Sequence, residues 1–122
     1  MTPRQLLAHA LAAPVITLAA SSADTSPATS GDTHTFSVSI APGEIHEECV
    51  KLAKLETRRY EWSSDSAIDF NIHYHEGNEV FYPVKHAGVR QAKGTFRAKR
   101  RQDFCWMWTA KTPAKLEGKI EK

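Results

Sequence analysis

The sequence predicts an all-β fold: an antiparallel, jelly-roll-like β-sandwich of about eight short strands with one disulfide. Three observations carry that prediction. Apolar and polar residues alternate with a period of two through nearly every segment after residue 34. Turn-forming clusters break the alternation about every ten residues. The two cysteines, Cys49 and Cys105, each fall in a strand-like segment. No segment shows a sustained helical period.

The elements follow in order. In residues 35–40, Phe36, Val38 and Ile40 share one face, and Pro42 with Gly43 makes a turn. Residues 45–53 form the second strand and carry Cys49. Read as a helix, 47–55 would be short and would run into the plainly extended chain from Thr57. The third strand points Tyr60 and Trp62 inward, and the polar run 63–66 is expected to turn the chain. Ile68, Phe70, Ile72 and Tyr74 then alternate with Asp69, Asn71, His73 and His75. Gly77 and Asn78 mark the next turn. Val80, Tyr82 and Val84 lie on a strand that Pro83 pushes to a sheet edge. Gly88 and Gly94 bracket a hairpin-like stretch. Phe104, Trp106 and Trp108 alternate with Cys105 and Met107, and a last strand runs through Leu116 and Ile120. The pairs Tyr60/Trp62 and Trp106/Trp108 are expected to pack between the sheets near the disulfide.

The chain has 122 residues, 41% hydrophobic and 25% charged, with a formal charge of +2. That suits one ordinary globular domain and gives no electrostatic reason to expect a nucleic-acid partner. Residues 1–23 read as a signal peptide: Arg4 starts it, 6–20 are apolar apart from His9 and Pro14, and small residues allow cleavage after Ala20 or Ala23. The apolar run is too short and broken to span a bilayer, so no transmembrane anchor is expected. Residues 24–33, rich in Ser, Thr and Ala, read as a disordered leader, and 34–122 as the folded domain. Export implies a periplasmic or secreted location, where two cysteines normally pair. A bond closing that loop of about 57 residues contributes about 4 kcal/mol in the chain-entropy model. In a cytosolic chain the two would be thiols, and a metal or redox pair becomes the alternative, although the spacing is far from Cys-x-x-Cys.

Several of these residues resemble the GOLD domain, the luminal β-sandwich of the emp24/gp25L/p24 secretory-pathway proteins. The similarity covers about residues 35–121. It begins at Phe36-Ser37-Val38 and Gly43-Glu44, passes Cys49, Tyr60-Glu61-Trp62 and Asp69-Phe70-Asn71-Ile72, and ends on Gly94-Thr95-Phe96 and Phe104-Cys105-Trp106. The resemblance implies an eight-stranded sandwich, a Cys49–Cys105 disulfide and a general binding role. The coiled coil, transmembrane helix and sorting tail of p24 proteins have no counterpart in the expectation, and cargo-receptor traffic is not carried over.

Histidine is the residue type best suited to chemistry. His73 and His75, two apart on a strand, face the same side. With a third ligand they make a Zn²⁺ or Cu²⁺ half-site. His46 is the leading third ligand, with His86, Glu76 and Glu79 as others. The competing reading is two histidines on the polar face of a half-buried strand. If Cys105 were reduced, it and Met107 would share a face suited to Cu(I). No Gly-x-Ser-x-Gly or His-Glu-x-x-His pattern is present, so no catalytic residues are expected. The densest basic stretch, 97–101 with Lys93 close by, suits an acidic partner or a solvated hairpin tip. The expectation is an exported, non-catalytic binding or structural module for a protein or small-molecule partner. The alternative is a periplasmic metal-binding protein using His73 and His75, and a sugar- or lipid-binding sandwich rests on fold analogy alone.

Overall fold

The computed structural model describes residues 32–122. The signal peptide (1–23) and most of the leader (24–33) therefore lie outside the described residues. Six strands form: β1 (Thr33–Ile40), β2 (Ile45–Leu52), β3 (Thr57–Glu76), β4 (Glu79–Arg97), β5 (Gln102–Thr109) and β6 (Ala114–Glu121). All pairings are antiparallel, in the order β1-β6-β3-β5-β2, with β4 along the other side of β3.

The all-β expectation holds, but eight short strands in two sheets become six in one curled, half-barrel sheet. Residues 63–66 do not turn the chain. β3 continues through them, and its register with β4 shifts between Ser63 and Ile68. The polar side chains there hold a neighbouring loop instead. Asp65 Oδ1 accepts from the Lys115 backbone N–H at 2.8 Å, and the Ser66 hydroxyl donates to the Pro113 carbonyl at 2.9 Å. Gly88 and Gly94 likewise bracket no hairpin. Gly88, at φ 62°, sits in a second irregularity of the β3–β4 ladder and donates its N–H to Asp69 Oδ1 at 2.9 Å. Gly94 lies opposite Tyr60. Pro83 is on an edge strand, as expected, because β4 pairs only with β3.

The curl follows from how β3 shares one edge. Its residues 59–64 pair with β6 and residues 69–73 with β5. The β1–β6 side thereby closes over β5. Phe36 of β1 lies 4.9 Å from the Trp108 ring, and Trp62 of β3 meets Trp108 edge-on at 6.1 Å. Trp62, Phe70, Ile72, Phe104, Trp106, Trp108 and Leu116 are all buried on this inner face. At about 25 cal/mol per Å² of apolar surface, such rings dominate the cohesion of a domain this size. The three indole N–H groups, of Trp62, Trp106 and Trp108, have no hydrogen-bond partner among the described residues. An indole N–H without a partner gives back part of the gain from burying its ring.

Cys49 and Cys105 are bonded, with Cα atoms 4.0 Å apart. The bond does not cross the core. Cys49 and Cys105 are directly opposed in the β2–β5 ladder, and both point outward while Phe104, Trp106 and Trp108 point inward. Alternation along β5 puts the aromatic pairs and the disulfide on opposite faces of one strand.

Candidate functional site

The outer face of β2, β5 and β3 carries the first group of polar residues. Cys49, Cys105 and His73 are successive partners across the three strands. His73 is 4% exposed. Its Nδ1 lies 2.7 Å from Asn71 Oδ1, so Nδ1–H donates and the second nitrogen, Nε2, keeps its lone pair. Nε2 faces Glu47 Oε1 at 3.5 Å. The imidazole is held below the ordinary histidine range, first by burial, with Glu47 opposing and His75 adding to the effect. The His75 ring stands 5.2 Å away, edge-on. The expectation that His73 and His75 share a face is met.

His46 does not join them. It sits on the inner side of β2 and stacks at 5.9 Å on Trp108. Two positions of opposite parity on paired strands face opposite ways, and His46 lies opposite Trp108 in register. Its Nε2 is 2.8 Å from Glu48 Oε1, and His34 Nε2 of β1 is 2.7 Å from Glu48 Oε2. Glu48 thus bridges the two ends of the strand order across the open seam of the curl. His86 stacks at 6.3 Å on Phe70, on the core side of β4, and Glu76 pairs with Arg100. Neither reaches His73. Sequence reasoning missed Glu47 and Glu48 because only strand pairing shows which carboxylate comes beside which histidine.

A groove of about 430 Å³ opens at the end of the sheet, where the two ends of β4 meet. Tyr74, Phe81, Tyr82, Phe96 and Phe104 supply its aromatic lining, and Arg97, Lys99 and Arg100 its cationic rim. The Tyr74 and Phe81 rings stack at 5.1 Å, and Phe96 meets Phe104 edge-on at 4.9 Å. Val80, Phe81 and Tyr82, between 37% and 46% exposed, keep apolar surface at this end in contact with water. The basic stretch foreseen in the sequence is the β4–β5 connection. It is pinned to the β2–β3 turn, the Leu55 N–H donating to the Ala98 carbonyl at 2.7 Å and the Ala98 N–H to the Glu56 carbonyl at 2.9 Å. Arg100 is committed: it lies 2.9 Å from Glu76 and over the Tyr74 ring at 5.5 Å. No ion pair among the described residues engages Arg97 or Lys99. The groove therefore offers aromatic surface beside two uncompensated cations.

No family model and no curated protein matches the chain. Solved structures do. The pre-peptidase C-terminal domain of a collagenase from Bacillus anthracis superposes with a TM-score of 0.56 at 12% identity, over 73% of this chain and 89% of that one. PliG of Aeromonas hydrophila, a periplasmic inhibitor of g-type lysozyme, superposes at 0.49 with 10% identity, over 74% of this chain and 87% of that one. The first of these is a likeness of fold alone: a small, antiparallel β module.

Proposed function

We propose that this chain is an extracytoplasmic, non-catalytic binding module that captures a small amphipathic anion in the groove at the ends of β4. The observation that carries the reading is the pairing of an aromatic lining with Arg97 and Lys99 at its rim. Aromatic surface binds the apolar part of a ligand, and the exposed cations Arg97 and Lys99 at the rim select its charge. The Cys49–Cys105 bond supports an oxidising compartment. Kinship with the GOLD domain is proposed on the sequence positions alone, since the eight-stranded sandwich it implies is not the six-stranded sheet found.

The test is titration of the ¹⁵N-labelled protein with decanoate below its micelle concentration and with decanol as the neutral control. Saturable shifts at Phe81, Phe96, Arg97 and Lys99 with decanoate, weaker with decanol, support the reading. Equal response to both removes the charge selection, and no saturable response removes the groove as a site.

A second reading, a Zn²⁺ or Cu²⁺ site on the outer face through His73 and His75, is favoured by one feature. The Asn71 bond fixes the His73 tautomer that leaves Nε2 free as a ligand. Binding of either ion to the oxidised protein, lost in His73→Gln and in His75→Ala, would support it.

A further inference from the structure

We infer that the outer face is a redox-gated zinc site: the disulfide is its locked form, and reduction assembles a four-ligand set of Cys49, Cys105, His73 and Glu47. The proposal does not depend on the groove, and it differs from the second reading in requiring the sulfurs.

The geometry is specific. A carboxylate oxygen of Glu47 and the two cysteine sulfurs lie within 4.8 Å of one another. His73 Nε2 lies 3.5 Å from Glu47 Oε1. His73 is the register partner of Cys105, which is the register partner of Cys49. Two sulfurs and an oxygen from two paired strands thus cluster on one face, and the His73 nitrogen, beside the Glu47 carboxylate, stands just outside that 4.8 Å cluster. Tetrahedral zinc with bonds of about 2.0–2.3 Å places its ligands about 3.3–3.8 Å apart. The His73–Glu47 separation already meets that spacing, and the proposal requires the freed cysteine side chains to rotate toward His73.

His73 is prepared for the role in two independent ways. Its Nδ1–H is held by buried Asn71, the outer partner that metal-binding histidines commonly have. It is also buried, which favours the neutral imidazole that binds metal. Glu47, by contrast, is 41% exposed at its side chain and free to adjust.

The chemistry balances with a dithiol of the thioredoxin class as reductant. One reductant thiolate attacks a sulfur of the Cys49–Cys105 bond, the resulting mixed disulfide is resolved by the second thiol, and the reductant leaves oxidised as its own disulfide. Cys49 and Cys105 are left as two thiols. Zinc then displaces one proton from each, forming two thiolate bonds and releasing two protons. Cys49 is exposed and Cys105 partly so, which gives the reductant access.

The experiment uses protein reduced with a phosphine, which does not compete for the metal, and titrated with Co²⁺ as a visible reporter and then Zn²⁺. One Co²⁺ per chain is expected, with thiolate-to-cobalt charge transfer and the visible bands of a tetrahedral site, both bleached by Zn²⁺. The oxidised protein should show neither signal. His73→Gln and Glu47→Gln should each weaken binding by at least about 10-fold, with altered visible bands for loss of the nitrogen. Cys49→Ala/Cys105→Ala serves as the fold control and should give no charge transfer. If the reduced apoprotein unfolds, recovery of the far-ultraviolet β signal on adding Zn²⁺ supports the site, and failure to recover it overturns it. Absence of cobalt thiolate absorption in folded, reduced protein, or bands unchanged in His73→Gln, also overturns it.

Discussion

Phe36 lies across Gly118, its register partner on β6, so closely that a Cβ at position 118 would come within 2.5 Å of the ring's Cζ. The same Cβ would stand 2.8 Å from Cβ of Trp62 on β3. Three strands therefore meet at a residue where an added methyl group would force its neighbours to shift. Glycine ordinarily weakens a strand, and here the close approach of the two aromatic residues explains it. Phe36 in turn rests on Trp108, so the contact sets how far β1 closes over β5.

Gly118→Ala should accordingly cost about 1–3 kcal/mol, the range for overpacking a well-filled core. Urea unfolding monitored by tryptophan fluorescence reads this directly. Phe36→Leu in the same chain should relieve part of the clash, so the double variant loses less than the two single losses combined. Strict additivity would show that the Phe36 ring is not what excludes the methyl group.

Opening the disulfide should destabilise the folded domain by about 2–4 kcal/mol. The bond joins β2 to β5, and β2 makes its ladder with β5 alone. Cys49→Ala/Cys105→Ala should therefore increase hydrogen exchange first in β2. Protection lost evenly across all six strands would contradict a role confined to that edge.

Stability should fall on the acid side of neutrality, and His73 should account for a measurable share. Burial holds its folded value below that of the unfolded chain, whose histidine titrates near pH 6.5. Below that pH the unfolded state takes up a proton that the folded state resists. Stability from this group is full above about pH 6.5 and declines as pH drops through the folded value. His73→Gln should flatten the decline in melting temperature between about pH 7.5 and 5.5. Glu47→Gln should steepen it, because Glu47 is the group that favours the charged ring. An unchanged profile in both variants would place the acid sensitivity elsewhere.

The strand pattern was legible because period-two alternation directly encodes a half-buried pleat. Phe70, Ile72 and Tyr74, and Phe104, Trp106 and Trp108, all point inward as the alternation requires. Strand length was not. Ser63, Ser64, Asp65 and Ser66 have the composition of a turn, and only tertiary contacts to Pro113 and Lys115 reveal a bent strand. The pairing of His73 with His75 followed from spacing alone. The placement of His46 depended on which face of β2 meets Trp108, and local sequence on β2 gives no apolar signal there: His46 and Glu48 occupy inner positions that would ordinarily be hydrophobic. Arg97, Lys99 and Arg100 were visible as a charge run, but the aromatic lining they rim comes from three different strands.

Those inner polar positions supply the last prediction. Glu48 accepts from His46 of its own strand and from His34 of β1, at 2.8 and 2.7 Å, and no backbone ladder joins β1 to β2. The carboxylate is thus a side-chain clasp over the seam. Both histidines flank Phe36, at 6.2 and 6.0 Å, so loss of the clasp exposes the aromatic edge of the core. Glu48→Ala removes the acceptor of one exposed and one half-buried imidazole and should cost about 0.5–1.5 kcal/mol. Glu48→Gln retains one acceptor oxygen and should cost less. If the clasp closes the seam, His34→Ala and Glu48→Ala will be strongly non-additive in urea unfolding, and exchange will rise at Phe36 before it rises at Trp62. Additive losses would make Glu48 a partner of His46 alone, with the seam held shut by the contact between Phe36 and Trp108.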